Sequence, residues 1–369
     1  MEIAGYRINR PEEIETPAFL IYVDIVKHNI AQVVKVCGSA DRVVPHFKTH
    51  KSSDILKLQM AGGLTAYKCA TMKEAEVLAA NGVKEIIVAY PTIHPKKLAR
   101  FVALVKKYPK IEIKTIISKP EHLKTLSELA LANKITIGVY MDLNTGMHRT
   151  GAQPGKEAAD LYIQTAKTKG LKAIGVHVFD GENLYKPDIA ERKALVAQGI
   201  GYMRDIWAAA EKAGVPVTDN VAAGSWGFHL YMDEPKIRVS PGTFVYWDHR
   251  NATMSELPFK PAALVLGQVV DAHAGKDTVT CDIGSKAASP DQPTNLRFKV
   301  AGYPQAELVS QSEEHGVIKL NGAPLKVGDY ILAIPGHACT TTVKFPYGLR
   351  VNAKGDVTGR YEHDARDRD

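Results

Sequence analysis

What most constrains this chain is a change of pattern near Arg250. From residue 16 to about residue 250, apolar runs alternate with stretches of helical spacing. The runs include "AFLIYVD" (18–24), "RVVPHFK" (42–48), "AYKCAT" (66–71), "EIIVAYP" (85–91), "ITIGVYMDLN" (135–144), "KAIGVHVFD" (172–180) and "VTDNVAAGS" (217–225). Such alternation predicts βα units around a parallel sheet. Strands buried on both faces, with polar residues gathered just after them, favour an α/β fold of the (β/α)8 TIM-barrel type, whose site lies at the C-terminal ends of the strands. No GxGxxG follows any strand, which argues against a dinucleotide-binding open sheet. Beyond Arg250 the runs "ALVLGQVVDAH", "TVTCDIGSKA" and "DYILAIPGHA" are short and parted by Gly, Pro, Asn and Asp. They predict a C-terminal all-β domain. The expected division is 16–255 for the barrel and 256–369 for the β domain, with residues 1–15 packing against the latter.

Charge narrows the class of ligand. The 369 residues carry 47 Lys and Arg against 40 Asp and Glu, a net charge of +7. The excess is scattered, with no aromatic-interleaved basic tract, so nucleic-acid binding is not expected and an anionic small ligand suits it equally well. No apolar stretch reaches the roughly 20 residues of a membrane helix, and residues 1–15 lack the layout of a secretory signal. Four cysteines form no CxxC and no short framework, which points to free thiols in a reducing cytoplasm.

The chemistry-bearing residues cluster where strands should end. In "VVPHFKTHKSS" (43–53), Lys48 stands where partial desolvation favours a neutral, nucleophilic amine, the requirement for a Schiff base with a carbonyl cofactor. His46 and His50 flank it and can move protons near neutral pH. A lysine in such a place is more often simply solvated, and only these neighbours shift the balance. In "DLNTGMHRTG" (142–151), Arg149 is a permanent cation for a phenolate or carboxylate. "GVHVFDGENLY" (175–185) contributes His177 and Tyr185, and a lone His there is commonly a satisfied core residue. "NVAAGSWG" (220–227) can offer backbone N–H groups of Gly224, Ser225 and Gly227 to a phosphate after the seventh strand. In "PGHACTT" (335–341), His337 and Cys339 would share a face if they lay on one strand, and could bind a borderline-soft ion. A buried Cys beside a chance His is the commoner explanation of such a pair taken alone.

Taken in order, "TPAFLIYVD", "PHFKTHK", "DLNTGMHRTG", "AAGSWG", "SPGTFVYWD" and "PGHACTT" resemble the D-threonine aldolase and D-serine dehydratase family. That is the metal-dependent branch of the alanine racemase-like, fold type III enzymes of pyridoxal phosphate. The resemblance runs from about residue 16 to residue 342. It implies that Lys48 bonds pyridoxal 5'-phosphate, that Arg149 contacts the phenolic oxygen, and that Tyr185 lies near the pyridine nitrogen. Gly224, Ser225, Trp226 and Gly227 fall at the phosphate cup, with Tyr246 near it. His177 falls under the cofactor ring, at a position that varies among relatives. His337 and Cys339 match ligands of a divalent metal. His50 is a candidate acid or base. Homodimers and small D-amino acid substrates are further implications.

The implied enzyme is a lyase of D-β-hydroxy amino acids. In the pattern associated with the aldolases the second metal ligand is a carboxylate, H-x-D, whereas dehydratases carry H-x-C, as here. Thiolate favours zinc over magnesium or manganese. The expectation is therefore a dehydratase of D-serine or 3-hydroxyaspartate, giving a keto acid and ammonia. A D-threonine-type aldolase, giving glycine and an aldehyde, is the alternative, and a non-catalytic pyridoxal phosphate-binding barrel is a third reading.

Overall fold

The structure is a computed structural model that describes all residues from 1 to 369, and the chain divides into two compact units. One comprises Val33–Lys48, Met60–Gly242 and Asp367–Asp369; the other comprises Met1–Gln32, Thr49–Gln59 and Thr243–Arg366.

The first unit holds a seven-stranded, wholly parallel sheet. Its strands are Ala66–Cys69, Glu85–Val88, Glu112–Ile117, Ile137–Leu143, Leu171–Val178, Val221–Ala222 and Arg238–Val239, each paired with the next in chain order. Helices such as Met72–Ala80, Pro95–Lys107, Pro120–Asn133 and Ile189–Lys212 make the crossovers that parallel pairing requires. Residues 43–46 touch both edges of this sheet: Val43 bridges Val239 and His46 bridges Lys68. They do not form the regular strand expected of "RVVPHFK". Pro45 has no N–H to give a ladder, and Phe47–Thr49 turns into a 3-10 helix. Val44, Ala66, Ile87, Ile116, Tyr140, Ile174 and Val221, one from each of seven segments, pack into a single apolar cluster. These side chains form the apolar core on one face of the parallel sheet.

The second unit is mostly antiparallel sheet. Strand Ala263–Ala272 pairs antiparallel with Ala18–Tyr22, Thr278–Cys281 and Tyr330–Pro335. Residues 18–24, expected to supply the first barrel strand, therefore belong to this sheet, where Ala18–Tyr22 also pairs with Tyr347–Val351. All five residues of that strand are buried. An apolar run buried on both faces reads the same in either sheet, and only the partner strands decide. Leu20, Tyr22, Leu264, Leu266, Leu332 and Val351 form this unit's core with Tyr6 and Ile8. No helix is long and apolar enough to cross a membrane, and all four cysteines are unpaired.

Candidate active site

In the first unit, the bridging segment ends at His46 and the following turn leaves Lys48 half-buried, with its backbone N–H donating to His46 Nδ1 at 3.3 Å. Lys48 Nζ lies 5.7 Å and Arg149 Cζ 4.6 Å from the centre of the Phe179 ring. Both cations lie within cation–π range of that ring. Both line a cavity of about 730 Å³, together with His46, Ser118, His122 and Thr150. No acidic side chain lines that cavity. Its charged side chains are all basic.

Beneath it runs a buried polar chain that the sequence reading largely missed. Lys68 Nζ lies 3.3 Å from His177 Nε2, His177 Nδ1 lies 2.7 Å from Asp142 Oδ1, and Asp142 Oδ2 accepts from Thr150 Oγ1 at 2.8 Å. Lys68, His177 and Asp142 are each at most 3% exposed. Burial, reinforced by the charge of Lys48, brings Lys68 down to about 7, against the pull of Asp142 and Asp180. His177 is lowered too, by burial and then by Lys68, with Asp142 opposing. His177 thus has defined partners on both ring nitrogens. The detectable signal was Lys68 itself, a lone charge in the otherwise apolar run "AYKCA".

The expected phosphate turn is shaped by a second unforeseen residue. Asp180 is buried and accepts from the Gly224 N–H at 2.6 Å and from Asn183 Nδ2 at 3.1 Å. A Cβ on Gly227 would stand 2.0 Å from Asp180 Oδ2, and one on Gly224 would stand 2.8 Å from the Phe179 ring. Only glycine fits at either position. Burial raises the Asp180 carboxyl to about 7, and its hydrogen bond from Gly224 only partly offsets this. Ser225 Oγ accepts from the Gly242 N–H at 3.2 Å, and nearby in sequence the Ser240 hydroxyl is buried without a partner. Trp226 packs edge-on against Tyr185 with ring centres 5.5 Å apart, and its carbonyl accepts from Arg192. Tyr185 itself adopts a left-handed backbone, φ 63°.

The remaining candidates lie in the second unit. His50 is fully buried, accepts from the Ser52 N–H at 3.2 Å and packs edge-on to Tyr246. Burial and the charge of His363 depress His50 to about 3, against its hydrogen bonds with Gln59 and Ser52. The Tyr246 hydroxyl is buried without a partner, and burial raises its pKa.

His337 and Cys339 are not on a strand, as expected from their spacing. Strand Tyr330–Pro335 ends first, and His337 caps the short helix Ala338–Thr342 that contains Cys339. Gly336 marks the break, because a Cβ there would meet the Leu296 carbonyl at 1.8 Å. The two side chains nevertheless meet, since His337 hydrogen-bonds Cys339. His337 Nδ1 lies 2.5 Å from Asp291 Oδ2, a partner no motif announced. Burial works against a charged His337, but Asp291 and Cys339 outweigh it and raise the group to about 11. Asp248 anchors the turn by accepting from the Ala338 N–H at 2.9 Å. Cys339 Sγ is within 3.3 Å of Thr49 Oγ1. No group of three or more His, Cys, Asp and Glu is arranged to hold a metal ion.

The geometry can be set beside known proteins. Residues 21–250 match the model of the alanine racemase N-terminal domain, and residues 262–351 match a putative serine dehydratase domain. The 3-hydroxy-D-aspartate aldolase of Paracoccus denitrificans strain Pd 1222 is 25% identical over 89% of this chain and 86% of its own length. The D-threo-3-hydroxyaspartate dehydratase of Delftia sp. strain HT23 is 25% identical over 93% of this chain and 96% of its own. Among solved structures, D-threonine aldolase from Filomicrobium marinum superposes with a TM-score of 0.88 at 25% identity, covering 96% of each chain.

Proposed function

This chain belongs to the family of the alanine racemase N-terminal domain, and from that premise we propose a pyridoxal phosphate- and metal-dependent lyase of D-β-hydroxy amino acids, a dehydratase in preference to an aldolase. Residues 43–46, bridged to both edges of the parallel sheet, are read as the eighth stave of a (β/α)8 barrel. The observation that carries the function is Lys48 and Arg149 together on Phe179, at the wall of a cavity without acids.

The residues fit the cofactor. Lys48 Nζ would hold its carbonyl carbon, and Arg149 would face its phenolic oxygen. The turn at 224–227, where a Cβ has no room, and the unpartnered Ser240 hydroxyl would receive its phosphate. When bound, pyridoxal phosphate acts as an electron sink for the substrate's Cα. Lys48 Nζ would take the proton from that carbon. Tyr185, Trp226, His177 and Tyr246 are assigned to its surroundings, and His50, neutral and buried, to support of the fold or to proton transfer.

The donor set also fits a divalent ion. His337 presents an imidazole oriented through Nδ1 by Asp291, and Cys339 a half-exposed thiol, a pair that favours zinc over magnesium or manganese. Two protein ligands leave positions for water or substrate, and the ion would supply Lewis acidity to the β-hydroxyl. A homodimer in a reducing compartment completes the proposal, in keeping with four unpaired thiols.

The test is product analysis with and without a chelator on D-serine, D-threonine and both D-3-hydroxyaspartate isomers. Keto acid with ammonia marks the dehydratase. Glycine with an aldehyde marks retro-aldol cleavage, the second reading, which the Paracoccus relative's name favours. Loss of the visible absorbance of bound cofactor in Lys48→Ala supports the anchoring lysine, and a wild-type protein that takes up no pyridoxal phosphate removes the proposal.

A further inference from the structure

The site contains a second lysine that the proposed chemistry does not use. Lys68 lies in the strand Ala66–Cys69, every residue of which is buried, and no carboxylate pairs with it directly. Its Nζ meets the Nε2 of His177 instead. A carboxylate at Nδ1 keeps the imidazole proton on that side, so Nε2 is left to accept and Lys68 must donate. Isolated buried ammonium groups are expensive. This one is seated, at one remove, on the negative charge of Asp142.

The groups that face Lys68 come from every neighbouring segment. Residues 43–48 bring Lys48, and His46 is the bridge partner of Lys68. Strand Ile137–Leu143 and its loop bring Asp142 and Arg149, and strand Leu171–Val178 and its continuation bring His177 and Asp180. Cations stand on the cavity side, and negative charge comes from Asp142 and, above about pH 7, from Asp180. The balance makes the charge on Lys68 adjustable near neutral pH, which burial alone would abolish.

We propose that Lys68 is a positioning residue of the Lys48 site: an amine seated on the His177–Asp142 pair whose positive charge attracts the anionic cofactor. The proposal rests on the cofactor reading above. This attraction acts only while Lys68 is protonated, so its contribution to cofactor affinity is present at slightly acid pH and is lost as pH rises through about 7.

The experiment measures pyridoxal phosphate affinity of the full chain by absorbance titration at several pH values between 6 and 9, for wild type, Lys68→Met and Lys68→Gln. The ratio of wild-type to variant affinity should be roughly tenfold larger at the acid end than at the alkaline end, the order expected for one charge acting across a partly desolvated site. A ratio independent of pH overturns the proposal. Thermal melting shows whether a variant is folded. If neither is, the count of protons taken up by wild type on binding the cofactor decides. Uptake that peaks slightly above neutral pH and disappears in His177→Gln supports the proposal, and uptake unchanged by His177→Gln refutes it. A wild type that binds no pyridoxal phosphate instead overturns the cofactor reading itself, and the proposal with it. Binding that is tight but indifferent to Lys68 removes the proposal alone.

Discussion

Asp180 Oδ1 accepts a 2.6 Å hydrogen bond from the backbone N–H of Gly224, so a buried carboxyl group from the end of one strand shapes the turn after another. Because burial raises this acid to about 7, the folded protein holds its proton more tightly than the unfolded chain does. The stability this contributes is fully present below about pH 4 and is lost as pH rises through about 7. In Asp180→Asn the amide oxygen can still accept from Gly224, and Asn183 Oδ1, which has no partner, can take the new N–H. The variant should flatten the melting-temperature profile between these limits, sparing on the order of 4 kcal/mol by the linkage of about 1.4 kcal/mol per pKa unit. Parallel profiles for the two proteins would contradict this account of the turn.

Gly227→Ala tests the same contact from the other side. Its Cβ would stand 2.0 Å from Asp180 Oδ2, so either the turn or the carboxylate must move. Urea denaturation should report a loss of about 1–3 kcal/mol, in the range for overpacking. Adding Asp180→Ala removes the colliding atoms, so the double variant should be more stable than the sum of the single effects. Simple additivity would show that the clash is relieved elsewhere.

Asp291 should matter for metal although it belongs to no motif. Its carboxylate orients His337 through Nδ1, and such supporting contacts are typically worth 10–100-fold in affinity. Zinc affinity measured by competition with a chromophoric chelator should therefore fall by about that factor in Asp291→Asn, and further in His337→Ala. Equal affinity in Asp291→Asn and wild type would detach Asp291 from the ion.

His50 predicts an acid limit. Its folded pKa of about 3 lies below the ordinary value near 6.5, so the native state resists protonation. Stability should fall as pH drops below about 6.5 toward 3, where the unfolded chain gains a proton that the folded one refuses. In His50→Asn, which keeps an acceptor for the Ser52 N–H, this portion of the acid destabilisation should disappear from chemical denaturation curves taken at pH 4.5 and 7. His363, also lowered by burial, leaves a residual slope.

Much of this protein was written in residue order. The alternation of apolar runs determined the parallel sheet, the turn-rich tail determined the β-rich region, and "PHFKTHK" marked Lys48 because a lysine flanked by His46 and His50 stands where an apolar run gives out. The failures have one cause. Apolar residues 18–22 satisfy either sheet, and their pairing with Ala263–Ala272 is set by contacts some 245 positions apart, which no local period encodes. The same holds at the site. His337 and Cys339 could be paired by spacing, but their partner Asp291 lies 46 residues away, and the helix turn that joins them follows from Gly336 meeting the Leu296 carbonyl. Sequence alone could name Lys48 and Arg149 as cations. Only the tertiary structure set both on Phe179, buried Lys68 against His177, and placed Asp180 under Gly224, because burial and through-space charge depend on which distant segments pack together.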